Sequence, residues 1–192
     1  MSWLFELDKV NDWAYWDNAF SPEECEQIIN LALSKNKLEK GKISSEKDID
    51  VKIRNNSIVW LDSTEDNMNW IYERLSYIIL ELNKSYFDFN LYGMTEKLQF
   101  TQYESPNEFY KKHIDKTNGN IIRKLTIVLQ LTDENSYEGS DLLLHNSGSP
   151  IKSPRKQGTI IAFPSYTLHE VTPIVKGIRH SLVSWISGPN FK

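Results

Sequence analysis

Cysteine is almost absent: Cys25 is the single one among 192 residues, which excludes an internal disulfide and suits a reducing compartment. It falls at an apolar position of helix-like sequence, so a buried structural thiol is expected rather than a nucleophile. No stretch approaches the ~18 uncharged apolar residues of a membrane-spanning helix. Met1-Ser2-Trp3-Leu4-Phe5-Glu6 has no basic region followed by a long apolar run, so no leader is expected and a cytoplasmic location is the default. Neither charge dominates: 22 basic and 26 acidic side chains give a net charge of −4. That argues against a broad nucleic-acid footprint, which needs clustered basic surface. There is no His-Glu-x-x-His helix of a zinc hydrolase and no Gly-x-Ser-x-Gly elbow of a serine hydrolase. No repeat or linker divides the chain.

What is present suits an ordinary globular protein, with 40% hydrophobic and 25% charged residues. A chain of this length is expected to form a single domain, 1–192. Ser21-Pro22-Glu23-Glu24 is a capping box with proline at the first helical position, and Cys25, Ile28, Ile29 and Ala32 continue at helical spacing. A helix is expected over about 22–34. Residues 34–50, rich in Lys, Glu and Ser, have no period and read as a loop or as a lid over a site. Arg54 to Leu61 reads as one strand. Met68, Ile71, Leu75, Ile78, Ile79 and Leu82 mark a second helix over about 65–85.

After Gly93 the pattern changes to period two. Strands are expected at Leu98–Tyr103, Phe109–Asp115, Arg123–Leu131, Asp141–His145, Gly158–Phe163 and Arg179–Ile186, with Leu125, Ile127, Leu129 and Leu131 sharing one face. A helical support region (1–93) followed by a β-rich core (94–189) suggests helices packed outside a β-sandwich or open barrel.

Histidine is scarce, with four in the chain, and two of them sit in a telling pattern. His113 and Asp115 are two apart on strand-like sequence, so both can point to one ion while Ile114 faces the other layer. His169 must reach them from a distant strand or loop. Two neutral imidazoles and a carboxylate suit one face of ferrous iron and leave three positions for a bidentate 2-oxo acid and then O₂. Arg179, ten residues after His169, begins an alternating strand with Ser181, Val183 and Trp185 on its face. Its fork can hold the distal carboxylate of 2-oxoglutarate, or else a structural acid. A lone His-x-Asp is common by chance; the added His and Arg make the case. His145 and His180 have no partners at ligand spacing and read as surface or packing residues.

The wider text resembles the prolyl 4-hydroxylase-like 2-oxoglutarate oxygenases. Tyr103, Tyr110, His113 and Asp115 are similar to their Tyr…Tyr-x-x-His-x-Asp segment, Arg123-Lys124-Leu125-Thr126 to their Arg-x-x-Thr strand, and Tyr137-Glu138-Gly139-Ser140-Asp141-Leu142 to their Tyr-x-Gly-Gly-x-Leu turn. His169 through Arg179 and Trp185 follows the His-x-Val-x-Pro-Val-x-x-Gly-x-Arg run and its later tryptophan. The resemblance covers about Leu98 to Pro189 and looks closest to the bacterial, phage and oxygen-sensing branches.

It implies a double-stranded β-helix, or jelly roll, braced by helices. It also implies His113, Asp115 and His169 as Fe(II) ligands, Arg179 and Tyr103 on 2-oxoglutarate, and Arg123, Tyr110 and Trp185 lining the substrate side. The implied reaction consumes O₂ and 2-oxoglutarate, yields succinate and CO₂, and hydroxylates a C–H bond, with ascorbate as a candidate reductant. Asp115 argues against a halogenase, which vacates that position. A proline-containing protein or peptide is the expected substrate; a free amino acid, an alkylated nucleobase, or a silent jelly-roll binding module are the alternatives. Two departures stand out: Ser140 replaces the second glycine of the turn, and Gln130 stands where tyrosine is common.

Overall fold

The computed structural model describes residues 10–42, 50–65, 67–115, 121–146 and 148–190. In chain order these form β1 (Ala14–Trp16), α1 (Pro22–Ser34), β2 (Glu39–Lys40), β3 (Arg54–Asn55), β4 (Ser57–Leu61) and α2 (Asn69–Leu82). Then follow β5 (Leu98–Glu104), β6 (Phe109–His113), β7 (Arg123–Gln130), β8 (Glu138–Gly139), β9 (Leu142–His145), β10 (Ile151–Lys152), β11 (Ile160–Pro164), β12 (Leu168–Val171), β13 (Ile174–Lys176) and β14 (Ile178–Ser187).

Helix α1 begins where its capping box places it. The Ser21 hydroxyl accepts the Glu24 N–H at 3.2 Å, and the Glu24 carboxylate accepts the Ser21 N–H at 2.8 Å. Helix α2 starts later than its apolar stripe suggests, because turns precede it, with Glu65 N–H bonded to Asp62 O (3.2 Å) and Met68 N–H to Glu65 O (3.3 Å). Its α-ladder stops at Leu82 and widens into a π-helical turn, Asn83–Phe87, closed by Asp88 at φ 50°. The Asn83 side chain bonds both the N–H and the carbonyl of Phe89, which fixes that exit and buries Phe87.

The strands pair antiparallel in a seven-stranded sheet (β1-β11-β7-β14-β5-β4-β2) and a five-stranded sheet (β10-β9-β12-β6-β3), with β13-β8 as a separate ribbon. From β5 onward the chain passes back and forth between the two larger sheets (β5 to β6 to β7, then β9 and β10 to β11 to β12 to β14), which is the jelly-roll arrangement that the resemblance implies. One expected strand is corrected. Arg54–Leu61 divides at Asn56, fully buried, so that β3 joins the five-stranded sheet and β4 the seven-stranded one.

Alternation sorts the core into two halves. Leu125, Ile127 and Leu129 of β7, Leu182 and Ile186 of β14, and Leu98 and Phe100 of β5 pack against α1 and α2. The opposite face meets the five-stranded sheet through a smaller apolar cluster of Tyr103, Val128, Ile161, Phe163, Leu142, Leu144 and Val171. Cys25 lies in the helix-side core, and burial there raises its thiol to about 12, so it is inert as expected. Of the 34–50 segment, residues 43–49 lie outside the described residues; Glu39–Lys40 pair with Ser57–Ile58 at the sheet edge.

Candidate metal and co-substrate site

His113 ends β6 and His169 lies opposite it on β12. A β-bulge shifts the register so that Val171 then faces Tyr110. The extra residue puts Tyr110 and His113, three apart, on the same inner face, with their rings stacked at 3.5 Å. The strand ends at His113 rather than continuing to Asp115. Asp115 is held past its end by its N–H to the Ser165 carbonyl (2.9 Å), and Ile114 turns to solvent at 47% exposure rather than onto another layer.

The three side chains converge. Asp115 Oδ1 is 3.7 Å from His113 Nε2, and Oδ2 is 3.5 Å from His169 Nε2. One donor atom from each lies within 4.8 Å of the others, the spacing of ligands around one ion. The opposite imidazole nitrogens face backbone carbonyls: His113 Nδ1 lies 2.7 Å from Lys111 O, and His169 Nδ1 lies 2.9 Å from Thr167 O. A proton at Nδ1 satisfies each carbonyl and leaves Nε2 as a lone pair, the tautomer a metal takes.

Asp115 has its own support. Thr126 on β7 donates its hydroxyl to Oδ2 at 2.8 Å, and Ser165 lies 3.1 Å from that hydroxyl. Burial, with His169 next in strength, pushes His113 down to about 4. Burial would raise Asp115, but His169 and His113 together outweigh it and hold the carboxyl below its usual range. Two imidazoles and a carboxylate held low in one place are the donor set for a divalent metal.

Arg179, only 1% exposed, lies on the same cleft face of the seven-stranded sheet, in register with Tyr103. Its Nε and Nη2 donate to Gln130 Oε1 at 3.2 and 2.8 Å, while Nη1 is buried with no partner. Gln130 is itself tied by Nε2 to Pro154 O at 3.0 Å. The residue where tyrosine is common therefore grips the guanidinium and leaves one N–H pair for an incoming anion. Tyr103 is buried, with the Arg179 guanidinium 5.5 Å from its ring centre. Burial raises its phenol, opposed by Arg179 and Arg54, so it stays a neutral donor.

The residues expected on the substrate side are less alike. Tyr110 lines the inner face against His113. Arg123 lies flat over the Trp185 indole at 3.8 Å and is clamped by Glu96 through bonds of 2.7 and 2.6 Å. The Trp185 N–H sits beside Asp115 and helps hold that carboxyl low, but makes no hydrogen bond of ordinary geometry. His180 points to the helix side and stacks on Phe100 at 5.2 Å, while His145 pairs with Glu170 at 2.9 Å. Both stand apart from the cluster. In the turn, Gly139 and Ser140 have φ of 76° and 52°, so the serine adopts the left-handed conformation that glycine would take freely.

Sequence reasoning did not assign Thr126, Ser165, Glu96 or Arg54. Thr126 stood inside a quoted motif; nothing local marks the others, whose partners come from distant strands.

Residues 98–187 match the 2OG-Fe(II) oxygenase superfamily. A PKHD-type hydroxylase of Synechococcus sp. (strain CC9605) is 39% identical over 84 residues, covering 43% of this chain and 38% of that protein. This chain is similar to that superfamily over residues 98–187. It spans about two fifths of the length of the curated relatives it matches. Two solved structures share the fold at 19% identity. A Pseudomonas putida prolyl-4-hydroxylase matches at TM-score 0.73, over 93% of this chain and 94% of its own. A Trichoplax adhaerens prolyl hydroxylase, in complex with a hypoxia inducible factor oxygen degradation domain peptide fragment, matches at 0.78 over 92% and 84%. Among the described residues no helix is long and apolar enough to cross a membrane.

Proposed function

We propose that the chain is an Fe(II)- and 2-oxoglutarate-dependent hydroxylase, and that its substrate is a proline-containing protein or peptide. The observation that carries the reading is one constellation: two Nε2 atoms and a carboxylate within 4.8 Å, facing the cleft that also holds Arg179. The residues fit the implied groups. His113, Asp115 and His169 would hold the iron, since their free atoms are the donors ferrous iron takes. The buried, unpartnered Nη1 of Arg179 would take the distal carboxylate of 2-oxoglutarate, with Tyr103 as a neighbouring donor. The chemistry that these groups supply with O₂ is hydroxylation of an unactivated C–H bond, with succinate and CO₂ as co-products.

The protein's own contribution is orientation. Carbonyls of Lys111 and Thr167 set the two imidazole tautomers, Thr126 fixes the carboxylate, and Gln130 aims Arg179. The proline assignment is supported by Tyr110, Arg123 and Trp185 at the cleft and by the named prolyl hydroxylases among the fold's likenesses. Incubation with Fe(II), 2-oxoglutarate and a panel of proline peptides tests it. Succinate release and gain of one oxygen by a peptide are expected, and both should be lost in His169→Ala along with tight metal binding. Succinate release without modification of any proline peptide would overturn the substrate; wild-type metal affinity in His169→Ala would overturn the site.

A further inference from the structure

The chain has five arginines. Three are neutralised by carboxylates: Arg74 by Glu24 (2.9 Å), Arg123 by Glu96 (2.6 Å) and Arg155 by Asp141 (2.7 Å). The remaining two, Arg54 and Arg179, are the most buried, at 7% and 1% exposure, and each keeps one buried Nη with no partner. Arg179 has an assigned anion under the function proposed above. Arg54 has none.

Among the described residues its partners are neutral acceptors and a ring. Arg54 Nε donates to Asn56 Oδ1 and Nη1 to the Lys42 carbonyl, both at 3.0 Å, and the guanidinium lies 4.6 Å from the Tyr110 ring centre. The buried acid nearest in sequence to Tyr110, Glu108, is committed elsewhere, to Lys40 at 2.6 Å and to the Glu104 N–H at 2.9 Å. Among the described residues no carboxylate pairs with Arg54. The Asn56 amide nitrogen beside it is likewise buried and makes no hydrogen bond of ordinary geometry, although the Asn56 side chain lies close enough to the Tyr103 phenol to favour its ionised form. A guanidinium cannot shed its proton in a protein, so burying one unpaired is costly unless an anion arrives.

We infer that Arg54, with Asn56, forms a second anion subsite that takes a carboxylate carried by the molecule to be hydroxylated. This rests on the hydroxylase reading, since position is what links the subsite to the reaction. Arg54 is in register with Tyr110 on the neighbouring strand, so both point into the cleft. Tyr110 in turn stacks on His113. One aromatic ring therefore separates the guanidinium from a metal ligand. A carboxylate on Arg54 would sit close to the reacting carbon, as in a free amino acid or a peptide with an acidic residue beside its proline.

The test uses the whole chain with Zn(II) and saturating 2-oxoglutarate, so that Arg179 is occupied, in chloride-free buffer. Acetate is the probe and acetamide its neutral control, read by thermal shift and by tyrosine and tryptophan fluorescence. Acetate, not acetamide, should stabilise the wild type. Hydrogen bonds to charged groups set the size of the loss: acetate affinity should fall about tenfold or more in Arg54→Met. Asn56→Asp should do the same while keeping the fold, because it supplies an internal carboxylate to the Arg54 Nε that already bonds this side chain.

Both variants should still bind 2-oxoglutarate. Displacement of acetate by L-proline would mark the free acid as the source; displacement by an N-acetyl-prolyl-aspartyl amide would mark an acidic side chain. An acetate response equal to wild type in either variant overturns the subsite. Loss of metal-dependent 2-oxoglutarate binding in the wild type would instead overturn the hydroxylase reading.

Discussion

Along β7 and β14, alternate residues of the same strands face two different worlds. Leu125, Ile127, Leu129, Leu182 and Ile186 look toward the helices and are packed in hydrocarbon. Thr126, Gln130, Arg179, Ser181 and Trp185, at the alternate positions, look into the cleft and carry hydroxyl, amide, guanidinium and indole. Both faces are buried, but their energetics differ. The helix side gains stability from apolar area removed from water. The cleft side buries polar groups that cost free energy until something binds. The orphaned Nη1 of Arg179 and Nη2 of Arg54 belong to the second kind. The helix side holds the sheet rigid enough for the cleft side to keep such groups in place.

A pair of truncations would break this comparison if it is wrong. Under the proposed function, Arg179→Ala removes one partner of a buried charge pair with the 2-oxoglutarate carboxylate, a change that costs roughly 2–5 kcal/mol. Its affinity for 2-oxoglutarate, measured with inert metal bound, should fall between ~30-fold and ~4000-fold. Metal binding should change little. Leu129→Ala, at a fully buried position on the helix side, should lose roughly 2–5 kcal/mol of folding stability. The folded fraction of that variant should bind 2-oxoglutarate as the wild type does. Equal losses of co-substrate affinity in the two variants would mean that the faces are not separate.

A smaller effect tests how finely the cleft side is tuned. Thr126→Val keeps the shape of the side chain and deletes the hydroxyl that donates to Asp115 at 2.8 Å. Outer hydrogen bonds of this kind change metal affinity by about 10–100-fold. Titration of the variant with Fe(II) or a substitute divalent ion should show a loss in that range, with folding stability little altered. An unchanged affinity would reduce Thr126 to a packing residue.

The helix face was the more legible half in the sequence. Its period-two run of Leu125, Ile127, Leu129 and Leu131, and the capping box of α1, are local signals, and each appears in the structure where it was expected. The triad was legible as residue types at spacing, because two histidines, an aspartate and an arginine are rare enough together to stand out. The bulge that brings Tyr110 onto the face of His113 was not, since it depends on pairing with β12. Nor was the division of Arg54–Leu61 between two sheets, for which the apolar pattern is the same either way. The grip of Gln130 on Arg179 joins residues 49 positions apart. Long-range pairing is what periodicity cannot carry.

His180 offers the smallest test, because it sits next to Arg179 in the chain but on the other face. Its ring stacks on Phe100 and lies near Thr132 and Gln102, at 3.3 and 3.1 Å. Those partners are neutral, the nearby charge is the Arg179 cation, and among the described residues no carboxylate pairs with it. Burial first, and Arg179 second, push it down to about 4. The folded ring therefore stays neutral where the unfolded chain, with an ordinary histidine near 6.5, already binds a proton.

Stability from this group is fully present above pH ~6.5 and is lost progressively as pH falls toward ~4. The loss is at most roughly 3 kcal/mol, and less for the part of the ring that water reaches. His113 is pushed down to about 4 as well, so the difference between wild type and His180→Gln isolates His180. Denaturant midpoints measured from pH 7 to pH 4 should converge as acid is added, with the wild type losing more than the variant. Parallel curves would mean that His180 is protonated in the folded protein, and that the helix side tolerates a cation beside Arg179.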